Sequence, residues 1–185
     1  MTEQQYSPMQ TVKRRFFAMR NGVVADTLRH AGSPYKVIFG LNLPQIVDIA
    51  RDMAPDRALA EDLWANKTTR ESQLAAPMIM PRESFTIADA RRWCASIVDR
   101  ESADILCHRL LRHLPYAPDL AAELVDTRRG MECYAGMRLA MNLLYGRPDA
   151  AKALARKALD APGDCPADTL ALARAIIDEA EACGI

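Results

Sequence analysis

Apolar residues recur three and four positions apart in short blocks along this chain, and each block is closed by a polar, glycine or proline break. That is the pattern of successive amphipathic helices. Ser7-Pro8 supplies a cap and first turn ahead of Val12, Phe16 and Met19, predicting a helix to about Arg20 that Asn21-Gly22 ends. Val23, Val24 and Leu28 predict a second short helix closed by Gly32. The run Val37-Ile38-Phe39 resembles a strand, but nothing else in the chain could pair with it, so a helix or a buried connector is expected.

Leu43-Pro44 opens the next helix, with Ile46, Val47, Ile49, Ala50 and Met53 as its stripe, and Leu59, Leu63 and Trp64 line the one after. Thr68 and Glu71 stand at capping-box spacing before Leu74, Ala75, Met78 and Ile79, and Pro77 is expected to kink or shorten that helix. Thr86 and Asp89 suggest a looser cap before Ala90 and Trp93. Ala103, Leu106, Leu110, Leu111 and Leu114 make a helix stopped by Pro115. Leu120, Leu124 and Val125 mark a short helix, and Met131, Tyr134, Met137, Met141 and Leu144 a longer one. Two alanine-rich helices, Asp149 to Leu159 and Pro166 to Ala182, end the series. About ten helices in tandem with short breaks predict an all-α chain, an α-solenoid or compact stack of antiparallel helical hairpins; an irregular bundle is the alternative.

At 185 residues the chain suits one domain, 1–185, with a substantial core. Half of the residues are hydrophobic, yet no run approaches the roughly 18 to 20 apolar residues that span a membrane. The N-terminal Met1-Thr2-Glu3-Gln4-Gln5 is polar, so a cytoplasmic protein without a membrane partner is expected. Five dispersed cysteines without a C-x-x-C pair argue against a disulfide framework or zinc site and read as small core residues. His108 and His113 lack ligand-spaced partners, so no metal and no cofactor are expected.

The net charge is zero, which removes bulk attraction to a polyanion, but the charge is unevenly distributed. Residues 1–36 carry six bases against Glu3 and Asp26, and nineteen of the twenty-four cations are arginine, suited to bidentate phosphate contacts. A GC-rich genome explains that bias equally well.

Phe39-Gly40-Leu41-Asn42-Leu43-Pro44 before a helix, then Leu63-Trp64, Arg70-Glu71 and Ala75, resembles the AlkD-like DNA alkylation repair family, over roughly residues 36 to 145. The resemblance implies a HEAT-like α-α superhelix whose concave basic groove grips duplex DNA. It also implies a hydrolase: the family's characterised members are DNA glycosylases that remove cationic alkylpurines such as 3-methyladenine and 7-methylguanine. The family's catalytic aspartate falls on Asp104, its backbone-contacting arginine on Arg138, and a polar loop residue on Asn42. Arg100 stands one turn before Asp104 where the family has an aromatic, and the family's C-terminal tryptophan has no counterpart, so the chain reads as a diverged or shortened member.

A cationic alkylpurine is already a good leaving group, so one carboxylate that stabilises the oxocarbenium-like sugar and orients water suffices. Asp104 is the candidate for that role. Arg91, Arg92, Arg100, Arg128, Arg129 and Arg138, with Asn42, are the candidate DNA contacts. Each also has a plain structural reading: an acid in the first turn of a helix caps or complements its dipole, and surface arginines pair with neighbouring acids. Trp64 and Trp93, at apolar helix positions, read as core. The rival to a repair enzyme is a non-catalytic helical-repeat scaffold that holds a protein or nucleic-acid partner.

Overall fold

In a computed structural model, residues 6–163 and 165–185 are described. They form eleven α-helices and no strand, in two compact units that meet in sequence at Ser84 and Phe85. The first unit holds α1 (Pro8–Ala18), α2 (Gly22–His30), α3 (Leu43–Arg51), α4 (Arg57–Ala65) and α5 (Arg70–Ile79). The second holds α6 (Ile87–Cys94), α7 (Arg100–Arg109), α8 (Ala117–Asp126), α9 (Gly130–Leu143), α10 (Pro148–Asp160) and α11 (Ala167–Cys183).

In the first unit α4 and α3 both pack on α5. Phe16, Leu41, Ile46, Leu63, Leu74 and Ile79 fill the core. Ser7 and Gln10 cap α1 reciprocally, and Asn21, rather than merely ending α1, accepts from the Val24 N–H and starts α2. The Val37-Ile38-Phe39 run is the connector, not a helix: Tyr35, Ile38 and Leu41 are buried, and Val37 makes one isolated parallel bridge to Thr69.

The expected capping box of Thr68 and Glu71 does not form. Thr69 occupies the cap of α5 without a capping hydrogen bond, its hydroxyl accepting instead from Asn66 Nδ2 at 3.2 Å, and Glu71 is turned inward. Its fully buried carboxylate accepts from three backbone N–H groups, those of Phe39 (3.1 Å), Gly40 (3.0 Å) and Leu41 (3.4 Å). Arg70 pairs with that carboxylate at 3.2 Å and donates to the Leu41 carbonyl at 2.9 Å. A buried charge is tolerable only when it is fully partnered, and here a peptide segment and a guanidinium partner it. Gly40 sits at φ +80°, and a Cβ there would lie 2.1 Å from the Asn21 carbonyl oxygen, so only glycine lets the connector pass α2. Gln73 donates to the Leu63 and Trp64 carbonyls and ties α4 to α5.

In the second unit α9 is the central helix, packed on α7, α8, α10 and α11. Trp93, Leu106, Leu110, Leu111, Leu120 and Met137 are fully buried around it. Trp64 and Trp93 are both core residues, as their helical positions predict. Thr86 and Asp89 form a complete capping box, tighter than the loose cap expected there. The leucine run behind Ala103 divides: α7 stops at Arg109, and Leu111–His113 form a separate 3-10 turn. Four cysteines are buried and Cys183 is exposed. Cys133 and Cys165, thirty-two residues apart, bring their sulfurs to 3.5 Å.

Candidate nucleic-acid interface

Asp99, not Asp104, caps α7: its carboxylate accepts from the Ser102 N–H at 2.9 Å, and Ser102 answers in a reciprocal box. Asp104 is thereby left without a capping role, one turn further along, facing α9. From α9 the Tyr134 hydroxyl donates to Asp104 Oδ1 at 3.0 Å, and Arg138 Nε lies 3.1 Å from the same oxygen. That Nε is buried and close enough for an ion pair, yet it lacks the geometry of a hydrogen bond.

Asp104 Oδ2 has no partner among the described residues, and the side chain keeps 32% of its exposure, as does that of Arg138. One carboxylate oxygen is therefore clamped and the other presented. The two terminal nitrogens of Arg138 make no hydrogen bond among the described residues, leaving a fork for an anion beside the acid.

Desolvation pushes the Asp104 carboxyl above its ordinary value, and the Arg138 charge and the Tyr134 hydrogen bond pull it back only in part. Burial, together with the neighbouring Asp104, raises the Tyr134 phenol to about 12, so it acts as a donor throughout the physiological range. His108, one turn after Asp104, is held below its ordinary value by burial and by Arg112, Arg109 and Arg138, which favours the neutral ring.

Position 136 sets how closely the helix that supplies Tyr134 and Arg138 lies on α8, on the face turned away from Asp104. A Cβ on Gly136 would lie 2.7 Å from the Val125 nitrogen and 2.9 Å from the Ala121 carbonyl oxygen, so α8 and α9 approach as closely as backbones allow. Gly136 stands between Tyr134 and Arg138 on the helix that supplies both.

The other predicted contacts divide by what holds them. Arg91 makes a bidentate pair with Glu123 at 2.7 and 2.8 Å. Arg92 pairs with Asp89 at 3.1 Å, and Arg100 with Asp168 at 2.7 Å. Arg128, in the left-handed region at φ 55°, donates to the Ala161 carbonyl. Arg129, at the cap of α9, is exposed, and its side chain has no partner among the described residues. Asn42 lies in the first unit and is used as the N-cap of α3, in a reciprocal box with Gln45. Sequence reasoning placed Tyr134 on a buried stripe and missed it as a site residue. The available signal was its position one helical turn before Arg138, on the same face.

Short helices packed on one another, α4 on α5, α7 and α8 on α9 and α10 on α11, are the construction of a HEAT-like helical-repeat protein. A solved structure described as "a new family of proteins related to the HEAT-like repeat DNA glycosylases with affinity for branched DNA structures" superposes with a TM-score of 0.80 at 15% identity, over 94% of this chain and 76% of that one. The profile of the DNA alkylation repair enzyme family matches residues 12–143, and the chain belongs to that family. No curated protein matches the chain.

Proposed function

We propose that the protein binds duplex DNA through the backbone contacts offered by Arg138 and Arg129, and hydrolyses the N-glycosidic bond of cationic alkylpurines there. The observation that carries this reading is the half-clamped carboxylate: Oδ1 of Asp104 is fixed by Tyr134 and Arg138 while Oδ2 is open. As the bond between C1′ and the cationic base breaks, the base leaves neutral with the electron pair. The positive sugar forms beside Asp104, and water adds to C1′ and gives up its proton, which the open oxygen can accept. Arg138 then holds the flanking phosphate. The exposed pairs of Arg91 and Arg100 can exchange their acids for phosphates at little cost, because surface ion pairs are weak.

A second reading, DNA binding without excision, draws on Arg100. It stands where the family carries an aromatic, and it is a cation rather than a stacking face for a charged base. On that reading the protein shares with its structural neighbour an affinity for branched DNA.

Release of 7-methylguanine from methylated duplex DNA separates the two. The first reading expects release by the wild type and a loss of about a hundredfold or more for Asp104→Asn, with DNA affinity retained. A wild type that binds DNA and releases no base leaves the second. A protein that binds neither duplex nor branched DNA overturns both.

A further inference from the structure

On the first unit two adjoining grooves, of about 610 and 560 Å³, share Phe17, Ala18 and Phe39 as a common ridge. Among the described residues no carboxylate lines either one. Cations line both: Lys13 and Arg14 on one side of the ridge, Arg20 and Lys36 on the other. Arg29 also lines the second side, but Asp26 pairs with it at 2.7 Å. Phe17 is 56% exposed, a costly position for a phenyl ring on an ordinary surface, and the Arg20 guanidinium lies 3.9 Å from its centroid.

The floor of this surface is preformed. Val37, Ile38 and Phe39 belong to the connector whose N–H groups are collected by the buried Glu71. Phe39 packs its ring 5.9 Å from the buried Phe16, and its carbonyl accepts from the Asn21 N–H at 2.8 Å. The backbone of Val37 is bonded on both sides, to the Thr68 carbonyl and the Arg70 N–H. The motif pair that joins Phe39-Gly40-Leu41 to Arg70-Glu71 therefore does more than fill the unit: it fixes the connector, with exposed Lys36 and half-buried Phe39, beside the exposed Phe17 of α1.

Two cationic grooves on either side of an aromatic ridge have the chemistry that takes single-stranded nucleic acid. Phosphates track the charges, and unstacked bases, unlike those inside a duplex, can lie against the rings and the guanidinium planes. We infer that this surface is a binding site for single-stranded DNA, separate from the Asp104 cluster and independent of whether that cluster excises bases.

Fluorescence anisotropy of labelled oligothymidylate with the full chain tests this. Wild type is expected to bind, Phe17→Ala to weaken binding by about tenfold through loss of one stacked base, and Lys36→Glu by a comparable factor. Lys36→Glu is also expected to lower the salt slope by about 0.7 for the lost phosphate contact. Both substitutions are at exposed positions, and alkylpurine release and duplex affinity should stay within about twofold of wild type, whereas Asp104→Asn should leave oligothymidylate binding unchanged. A photoreactive 5-iododeoxyuridine strand should crosslink to the peptide that carries Phe17. The inference is overturned by oligothymidylate binding that neither variant weakens, by crosslinks found only beyond Ser84, by an absence of binding, or by a polyglutamate peptide that binds in a Phe17-dependent way where the oligonucleotide does not.

Discussion

A carboxylate held by one oxygen behaves differently from one held by two. Asp104 gains a hydrogen bond and a nearby cation at Oδ1, yet its desolvation outweighs both, so its folded-state pKa lies above that of the unfolded chain. The linkage sign follows. The folded protein binds this proton more readily than the unfolded one, so the contribution to stability is fully present below the unfolded aspartate value and is lost as pH rises through the raised folded value. Asp104→Asn keeps an acceptor for Tyr134 and removes the titration. The variant's melting temperature, measured from about pH 3 to 8, should therefore gain on that of wild type as pH climbs out of the ordinary carboxylate range, then hold a constant lead. A lead that shrinks with rising pH would mean that Arg138 and Tyr134 dominate instead. An acid that costs stability in its charged form is what a site built for chemistry, rather than for folding, is expected to hold.

At the scale of elements, the connector between α2 and α3 is bound to α5 through two adjoining side chains, Glu71 and Arg70. Glu71→Gln would replace a carboxylate that accepts three backbone N–H groups with an amide that can accept fewer, and would deprive buried Arg70 of its counter-charge. The expected loss is about 3–5 kcal/mol in urea unfolding, a range set by breaking buried ion pairs; a loss below about 1 kcal/mol would show that the connector is held by packing alone. This is also where the sequence was hardest to read. Thr68 and Glu71 have the spacing of a capping box, and local rules favour it, but the tertiary demand of three unsatisfied N–H groups outbid the local cap. Where no such rival existed, as at Ser7 and Thr86, the caps stand where the residue types put them, whereas Asn42, read as a DNA contact, is a cap as well. The apolar stripes were legible for the same reason: burial of a helical face is a short-range pattern. The contact of Tyr134 with Asp104, and that of Cys133 with Cys165, join residues about thirty positions apart through packing that no spacing rule encodes.

For the whole molecule, equal numbers of acids and bases remove long-range steering, so any grip on DNA has to come from local arginines. Most of the candidate arginines of the second unit are already matched by an acid or a carbonyl, and only the fork of Arg138 and the side chain of Arg129 stand open among the described residues. Duplex affinity should therefore fall with salt along a shallow line, with a slope near that of two or three phosphate contacts at about 0.9 each. Glu123→Gln, which releases Arg91, should steepen the slope by up to one such increment in a salt titration; an unchanged slope would place Arg91 off the DNA. The family and the helical-repeat construction were both readable from residues because they rest on runs of adjacent positions. The pairing of each arginine depends on which helix lies beside it. Gly136 adds a last consequence for anyone interpreting natural variants of this chain. A methyl group acquired there would wedge α8 from α9 and shift the helix that carries both the phenol and the guanidinium, so a change at a position with no functional group should disturb the grip on the aspartate from the far side of α9.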